Sequence, residues 1–416
     1  MGVYTIAARS HSPRRRPVIP TRYDRRLVAW LSVGQLISWG SIFYGFGVLL
    51  EPVEQSLGLT RAQSSLAFSL ALLAEGVMAW PVGRWIDRGH ERAVMTGGSL
   101  LLVAGLLLHS LASGLWSFYA AWTVLGLGLA GTLYNPAFAV VTRRFPLDFR
   151  RAIITLTFLG GLASTVFIPL VAWGVAHAGW RMTVLGLAAV HLLVCAPLHF
   201  HWLRGAPPAA LAAAAPTDAE ADPGLRAHLR SAPFLLIGVF VVLLMAVTAA
   251  LPPHMVSLLR GAGLAESWAI AVPASIGAVQ VLGRALLYVF EHRFDLHLAN
   301  RLIPCLIPVG LAALLAGAGH TWAALLFVAF YGMGNGMLTI VKGTAIAQYV
   351  SRAHVATLNG ALGLPTAVAR AVAPWLLGVL WQPVGGYTAG LWVLLSASVV
   401  AVIALVLAQR LSLSNS

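Results

Sequence analysis

The sequence predicts an all-α membrane protein with twelve transmembrane helices arranged as two pseudo-symmetric bundles of six. Three observations support this fold class: an apolar composition, twelve apolar runs of membrane-spanning length, and a sequence repeat between the two halves. Of the 416 residues, 59% are hydrophobic and 10% are charged, whereas soluble domains carry about 25% charged residues. This composition excludes a soluble globular domain, so the lipid bilayer is the expected surrounding.

Each apolar run is long enough to cross a bilayer. About 20 apolar helical residues span the hydrocarbon core, which is roughly 30 Å thick. No short apolar core with a cleavage site precedes the first run, so we expect that run to remain as an anchor. The predicted spans are residues 27–50, 62–85, 93–112, 115–141, 152–177, 181–203, 232–258, 265–290, 302–319, 322–349, 355–380 and 386–409.

The longest polar gap separates the sixth span from the seventh. It reads "RGAPPAALAAAAPTDAEADPGLRAHLRS", and its Pro, Ala and acidic content is typical of a linker. We therefore expect an N-terminal tail, a six-helix bundle, a linker, a second bundle and a C-terminal tail, at residues 1–26, 27–203, 204–231, 232–409 and 410–416.

The distribution of basic residues predicts the orientation. If both termini are cytoplasmic, cytoplasmic segments hold 21 of the 27 Lys and Arg, and the opposite face holds Arg61, Arg181 and Arg260. Positive side chains concentrate on the cytoplasmic side of membrane proteins. We therefore predict a multi-pass protein of the cell inner membrane with cytoplasmic tails. The net charge of +14 then reflects topology, and no nucleic-acid partner is expected.

Two spans in different halves have similar sequences. The fourth reads "WSFYAAWTVLGLGLAGTLYNPA" and the tenth reads "WAALLFVAFYGMGNGMLTIVKG", each with a Gly-x-Gly ten residues after its first Trp. A Gly-Arg pair at 83–84 also recurs at 283–284. A six-plus-six repeat is typical of secondary transporters, which bind substrate near the midplane between the halves.

The loop "GRWIDRGHERAVM" after the second span resembles the conserved loop motif of the major facilitator superfamily. The loop departs from the family motif in two respects. Gly89 comes one residue earlier than the second Gly of the motif, and His90 and Glu91 occupy the positions where the motif has Gly and Arg. Together with the spans, linker and repeat, the resemblance covers the whole chain and implies the major facilitator fold and alternating access. The residues that match the motif by position are Gly83, Asp87, Arg88 and Arg92.

This loop is a candidate gate between the halves. Asp87 can accept charge-assisted hydrogen bonds from arginines and from backbone N–H groups of a helix in the other bundle. Such a latch would hold in one state and release in the other. The alternative is that the arginines only set the topology. The predicted gating residues are Gly83, Arg84, Asp87, Arg88 and Arg92.

A second resemblance concerns the first and eighth spans. "GQLISWGSIFYGFGVLLEPVEQSLGLTRAQSS" and "QVLGR" are similar to the monocarboxylate and oxalate–formate branch of the superfamily. In that branch the eighth span carries an Asp four residues before an Arg. Arg284 matches the Arg, whereas Gln280 stands at the position of the Asp. The resemblance therefore implies a substrate role for Arg284 without an acidic partner.

Ionisable residues inside the spans identify the candidate substrate site, because such side chains face a cavity or a partner. They are Glu75, Arg284, Lys342 and Arg370, and three cations to one anion favour an anionic substrate. Arg370 is the preferred anchor, since apolar residues flank it on both sides; a structural ion pair is the alternative. Lys342 either meets the anion or extends to the headgroups, and Arg284 either binds or is a remnant of the repeated motif.

Glu75 is the predicted proton carrier. It lies about 18 Å along the helix from Asp87, close to the midplane. In the superfamily the second and eleventh spans meet, so the resemblance implies that Glu75 and Arg370 pair. An anion competing for Arg370 would free Glu75 to bind a proton. A static salt bridge is the alternative.

Polar neighbours are expected either to line the cavity or to bond adjacent helices. Tyr134 and Asn135 precede Pro136, which frees backbone carbonyls. The other candidates are Tyr44, Gln280 and Asn335, with Gln35 and Asn359 as further polar residues in the spans.

No phosphate-binding loop, zinc-ligand spacing or nucleophile elbow occurs, so we expect no enzyme activity, cofactor or metal. We predict a monomeric secondary transporter of a small, monocarboxylate-like organic anion, coupled to protons by symport. The alternative is a proton-antiporting exporter of lipophilic or cationic compounds, which Glu75 would also suit. The sign of the charge lining the cavity discriminates between them.

Overall fold

The structure is a bundle of long helices. The computed structural model describes residues 23–205, 223–290, 296–317, 319–351 and 355–414. Much of the predicted N-terminal tail and of the linker therefore lies outside the described residues. A short helix, Pro223–Arg230, precedes the second half. The long helices are α1 Arg25–Leu57, α2 Arg61–Asp87, α3 Glu91–Ser110, α4 Leu115–Arg144, α5 149–178, α6 180–202, α7 Ala232–Gly261, α8 Glu266–Phe290, α9 Leu296–Ala316, α10 Thr321–Tyr349, α11 355–379 and α12 Thr388–Ser414.

Twelve spans follow from these bounds. Eleven helical stretches of the described ranges are long and apolar enough to cross a membrane, and one of them, Arg151–Trp202, has 52 residues. Gly179 interrupts that stretch with φ 76° and ψ 164°, a conformation that glycine adopts easily. The break divides α5 from α6 at the predicted gap, and the twelve-helix fold is confirmed.

Local sequence signals begin several of these helices. The Asp24 carboxylate accepts hydrogen bonds from the backbone N–H groups of Arg26 and Leu27 at the start of α1. Thr60 and Gln63 form a capping box at the start of α2. Capping oxygens satisfy N–H groups that have no partner within the helix.

The connecting loops define two faces. The arginine-rich face carries the loops at 88–90 and 145–148, and the opposite face carries the loops at 58–60, 262–265 and 380–387. Helices α8 and α10 both begin at the opposite face. A Cβ atom at Gly319, just before α10, would lie 3.2 Å from the Ala262 carbonyl oxygen, just before α8.

The Gly-x-Gly repeat packs equivalently in the two halves. A Cβ atom at Gly128 in α4 would lie 2.7 Å from Leu102 in α3, and one at Gly334 in α10 would lie 3.0 Å from Leu306 in α9. Gly126 and Gly332, two residues earlier, likewise touch α2 and α8. Helix α4 thus sits on α2 and α3 as α10 sits on α8 and α9. This pseudo-symmetry defines an N-half, α1–α6, and a C-half, α7–α12.

Apolar packing follows the same division. One core contains only residues between Leu225 and Ala408, and another only residues between Leu27 and Leu203. A third lies mostly in the N-half but includes residues of α7, α8 and α11. The interface between the halves is therefore partly apolar. The exact domain bounds stay predictions.

Helix α4 is interrupted where Pro136 was expected to free carbonyls. Leu133 has φ −77° and ψ −164°, outside the helical range. The Gln35 side chain of α1 donates to the Thr132 carbonyl oxygen at 2.6 Å and to that of Leu133 at 3.4 Å. Gln35 therefore bonds a neighbouring helix, which was one of its two predicted roles.

Candidate functional site at the interface between the halves

Helices α2 and α11 approach closely across the interface. A Cβ atom at Gly76 would lie 3.1 Å from the Ala367 Cβ, and the Trp375 N–H donates to the Ser69 hydroxyl at 3.1 Å. Small residues allow such close contact between membrane helices. The approach brings the middle of α2, with its one buried carboxylate, against the middle of α11.

Glu75 and Arg370 form an ion pair at this contact. Arg370 Nη2 lies 3.5 Å from Glu75 Oε2, and the two side chains are 27% and 8% exposed. This separation is longer than the 2.7–2.9 Å typical of charge-assisted hydrogen bonds. Among the described residues, Glu75 Oε2 has no hydrogen-bond partner. The pair is thus loose, and its arginine is accessible.

Lys342 supplies a second cation near this pair. Its Nζ lies 3.6 Å from the Met245 sulfur, which is a weak acceptor, and it experiences the charge of Arg370. Within the described parts of the chain, no carboxylate lies within ion-pair distance of Lys342. This part of the interface therefore contains two cations and one carboxylate, and only Arg370 pairs with that carboxylate.

Arg284 is engaged differently from a free substrate anchor. Its Nη1 donates to the Thr157 carbonyl oxygen of α5 at 2.6 Å, and its Nε donates to the Gly336 carbonyl oxygen of α10 at 3.0 Å. Two of its five N–H donors therefore bind backbone, and one of these bonds crosses between the halves. Arg284 therefore braces the interface through these two bonds.

A small cavity lies beside Gln280, one helical turn before Arg284. Its volume is about 10 Å³, close to the space that a single water molecule needs. The polar side chains of Tyr44, Gln280 and Asn335 face this space. The lining residues are Tyr44, Ile168, Pro252, Met255, Pro273, Ile276, Gln280, Tyr331 and Asn335.

The cavity joins three predicted residues, Tyr44, Gln280 and Asn335, and adds Tyr331. Tyr331 lies four residues before Asn335, on the same face of α10, which is the signal that sequence reasoning missed. Tyr134 lies outside the lining: its ring stacks on Phe138 at 5.2 Å, and its hydroxyl faces Gly160 of α5. Asn135 is exposed and also does not line the cavity.

The loop motif lies at the arginine-rich face. Asp87 and Arg88 are exposed, and the Arg84 guanidinium stacks over the Trp80 ring at 4.6 Å. Arg92 stacks over Phe200 at 3.8 Å. A side chain at Gly83 would meet open space. In the described part of the chain Asp87 makes no ion pair, so the predicted latch is not engaged in this conformation.

Glu91, which departs from the family motif, is fully buried. Its carboxylate pairs with Arg144 at the end of α4. Both residues belong to the N-half. This pair therefore joins the loop motif to its own bundle and not to the other one.

Sequence reasoning missed a polar cluster at the opposite face. Its hub is Arg61, whose side chain is 8% exposed and lies 2.9 Å from Glu54 and 3.4 Å from Glu51. Arg61 also donates to Ser257 and Tyr387 of the C-half. We call this the opposite-face cluster, and it consists of Glu51, Glu54, Arg61, His254, Ser257, Arg260 and Tyr387.

Three further contacts complete the opposite-face cluster. Arg260 at the end of α7 pairs with Glu51 of the N-half and with Glu266 at the start of α8. The His254 Nδ1 lies 2.9 Å from the Tyr387 hydroxyl. Burial raises the pKa of Tyr387 to about 12, so this hydroxyl stays neutral near pH 7. The sequence signal available was the proximity of two glutamates to Arg61 along the chain.

Comparison with known proteins agrees with this architecture. Residues 31–300, more than half of the chain, match the Major Facilitator Superfamily. The protein belongs to the Major Facilitator Superfamily. The membrane-spanning helices and the repeat thus belong to a family of transporters.

The names of similar proteins indicate different cargoes. Monocarboxylate transporter 13 of Bos taurus is 30% identical over 397 residues, covering 86% of this chain and 84% of the relative. The 2-nitroimidazole transporter of Escherichia coli is 26% identical, covering 83% and 86%. Multidrug resistance protein MdtL of Shigella flexneri is 31% identical over 153 residues, covering 34% and 38%. The relatives support membrane transport and leave the substrate open.

Solved structures show the same fold. The nucleoside transporter NupG superposes with a TM-score of 0.71 at 15% identity, covering 92% of this chain and 99% of that one. An inward-facing bacterial homologue of the lysosomal transporter Spinster gives a TM-score of 0.69 at 19% identity, covering 94% and 97%. At these identities the likeness establishes the superfamily fold alone.

Proposed function

We propose that this superfamily transporter moves a small organic anion by proton-coupled symport. The single observation that carries the proposal is the loose Glu75–Arg370 ion pair, in which a carboxylate of the N-half faces an accessible guanidinium of the C-half at 3.5 Å. Lys342 adds a second positive charge beside it. An excess of cations within the membrane-spanning helices favours an anionic ligand.

The proposed coupling follows from competition for Arg370. A substrate carboxylate that binds between Arg370 and Lys342 displaces Glu75 from its counter-ion. A carboxylate without a cation in a low-dielectric site favours its protonated form. Anion and proton therefore bind together, and the ion pair re-forms after release. The halves can then return without cargo because their interface charge is again compensated.

Secondary roles complete the proposal. Arg284, Gln280, Asn335 and Tyr44 would contact the substrate, with Tyr134 and Asn135 adjacent to the path. The loop residues Gly83, Arg84, Asp87, Arg88 and Arg92 would latch the arginine-rich face in the conformation in which that face is closed. The protein would function as a monomer in the inner membrane, with its arginine-rich face and both termini in the cytoplasm.

The decisive experiment is uptake of labelled monocarboxylates and dicarboxylates into proteoliposomes under an imposed inward proton gradient. Arg370→Ala is expected to abolish uptake. Glu75→Gln is expected to retain anion exchange but lose the response to the gradient. Arg181→Ala is the matched control and should behave as the parent. The hydrogen bonds of Arg181 to described residues go to Ser56 and to the Ala112 carbonyl oxygen, and its guanidinium stacks over Trp180, all within the N-half.

A second candidate function is export of lipophilic or cationic compounds in exchange for protons. It is favoured by Glu75 as a buried acid at the interface and by similarity to multidrug resistance protein MdtL. An active preparation that extrudes organic cations and takes up no anion would establish the exporter and contradict symport.

A further inference from the structure

A buried histidine of α7 is hydrogen-bonded through both of its ring nitrogens. His254 has no exposed surface. Its Nε2 lies 2.9 Å from the Pro374 carbonyl oxygen of α11, and its Nδ1 lies 2.9 Å from the Tyr387 hydroxyl. Because a carbonyl oxygen only accepts, Nε2 carries the proton, and the Nδ1 of the neutral ring accepts from the Tyr387 O–H. The backbone of α11 therefore fixes the direction of both hydrogen bonds.

The same Tyr387 oxygen joins the two halves, because it accepts a hydrogen bond from Arg61. A hydroxyl that donates to His254 keeps its lone pairs available to the guanidinium. Without His254 as acceptor, the O–H can turn to Ser257, which lies 3.2 Å away and also accepts from Arg61. Three consecutive hydrogen bonds thus run in one direction, from Arg61 through Tyr387 and His254 to Pro374.

This chain of hydrogen bonds ends in α11, one helical turn after Arg370. Pro374 lies inside the helix and has no N–H, so the Arg370 carbonyl lacks the hydrogen bond that residue 374 would donate in a regular helix. The next N–H, that of Trp375, donates to the Ser69 hydroxyl of α2 at 3.1 Å. Helix α11 is therefore weakened directly after Arg370, and side chains of α2 and α7 bond its backbone at that point.

We infer that His254 is a positioning residue that couples α11, and with it Arg370, to closure of the opposite face. This inference rests on the proposed function, which makes Arg370 the substrate anchor. A shift of α11 that carries the Pro374 carbonyl away from Nε2 removes the acceptor that fixes the histidine ring. Tyr387 then loses its own fixed acceptor, and its contact with Arg61 weakens. An anion that moves Arg370 thereby favours opening of the opposite face.

Thiol labelling of the contact between α2 and α11 tests this inference. Ser65 of α2 is fully buried, and a Cβ atom at Gly378 of α11 would lie 2.8 Å from the Ser65 Cβ. In purified full-length protein with Cys305→Ser, Ser65→Cys should therefore react with a bulky polar thiol reagent only when the opposite face opens. We expect His254→Phe to accelerate this labelling about 3–10-fold, the range of one net hydrogen bond.

Two further variants separate positioning from packing. His254→Gln keeps an N–H for the Pro374 carbonyl and an oxygen for the Tyr387 hydroxyl, so labelling should return to near the parental rate. The matched control is His199→Phe, because His199 is also fully buried but its Nδ1 bonds the Ser99 hydroxyl within the N-half. This control should lower the thermal unfolding midpoint and leave labelling of Ser65→Cys at the parental rate.

A double-mutant cycle measures the coupling to Arg370. Arg370→Ala and His254→Phe should each accelerate labelling, and together they should accelerate it by less than the product of the two effects. Effects of independent contacts multiply. Tyr387→Phe removes the hydroxyl between His254 and Arg61, so it should act as His254→Phe does and provides the same test if His254→Phe does not fold.

The outcomes separate this inference from the proposed function, because labelling requires no substrate. If His254→Phe and Tyr387→Phe label at the parental rate, or if the effects of Arg370→Ala and His254→Phe multiply, His254 does not couple α11 to the opposite face, while anion transport stands. If labelling behaves as expected but proteoliposomes take up no anion, the proposed function fails and the role of His254 in anion transport fails with it.

Discussion

The two faces of the transporter use charge in opposite ways. The arginine-rich face has many exposed basic residues, and its described ion pair, Glu91–Arg144, lies within the N-half. The opposite face has few charges, yet Arg61 and Arg260 there bind residues of both halves. Exposed charges set topology, whereas charges buried at the interface join the halves. The number of charges on a face therefore does not indicate where the halves are held together.

Burial explains the difference in expected strength. Exposed ion pairs contribute about 0–1 kcal/mol, whereas removing one member of a buried pair costs about 3–5 kcal/mol because the other charge stays buried. Arg61, the hub of the opposite-face cluster, is of the second kind, so we expect it to hold that face closed in this conformation. The following substitutions test this contrast.

Arg61→Ala should have the largest effect. It leaves Glu54 and Tyr387 without their buried partner, with an expected loss of about 3–5 kcal/mol and opening of the opposite face. The measurement is the rate at which an impermeant thiol reagent labels Ser257→Cys in a Cys305→Ser background, together with the thermal unfolding midpoint. Arg181→Ala, on the same face but bonded within one half, is the control. Unchanged labelling by Arg61→Ala would contradict a closing role.

Glu91→Gln should destabilise the N-half without opening either face. The amide keeps the shape and one acceptor but loses the charge that faces Arg144, and we expect a loss of about 2–3 kcal/mol. The unfolding midpoint should fall while labelling of Ser257→Cys stays at the parental rate. Faster labelling would mean that loss of stability in the N-half also opens the opposite face. The Glu91–Arg144 pair and the Arg61 contacts would then not have separate roles.

Arg260→Ala should have a smaller, salt-dependent effect. This side chain is 36% exposed, so solvent screens its pair with Glu51 and we expect about 1 kcal/mol. The difference from the parent should disappear in about 1 M salt, where the screening length is about 3 Å. Glu266→Gln is the control, because it removes only the partner within the C-half. If Arg260→Ala destabilises the protein as much as Arg61→Ala does, the solvent exposure of a side chain does not predict how much its ion pair contributes to stability.

The sequence predicts the helices of this protein better than it predicts the contacts between the two halves. The spans and the break at Gly179 follow from the lengths of apolar runs, and the Gly-x-Gly packing follows from the repeat. The approach of Glu75 to Arg370 was anticipated from helix depth and the family resemblance. The Arg61 cluster was missed because pairing between helix ends depends on where short loops place them. The engagement of Arg284 was missed because backbone carbonyl acceptors have no residue-type signal.

Asp87→Asn should have the smallest effect on stability and the most informative effect on transport. Asp87 is exposed and makes no ion pair with a described residue in this conformation, so the unfolding midpoint should stay at the parental value. If Asp87 engages the C-half when the arginine-rich face closes, the variant should slow gradient-driven uptake severalfold while substrate binding is unchanged. Arg88→Gln is the control, because it changes the charge of the same loop but keeps the Asp87 carboxylate. Slower uptake by Asp87→Asn alone would indicate a specific contact of that carboxylate. If Asp87→Asn takes up substrate at the parental rate, Asp87 does not help to close the arginine-rich face. The opposite-face cluster would then be the charged contact for which a closing role is supported.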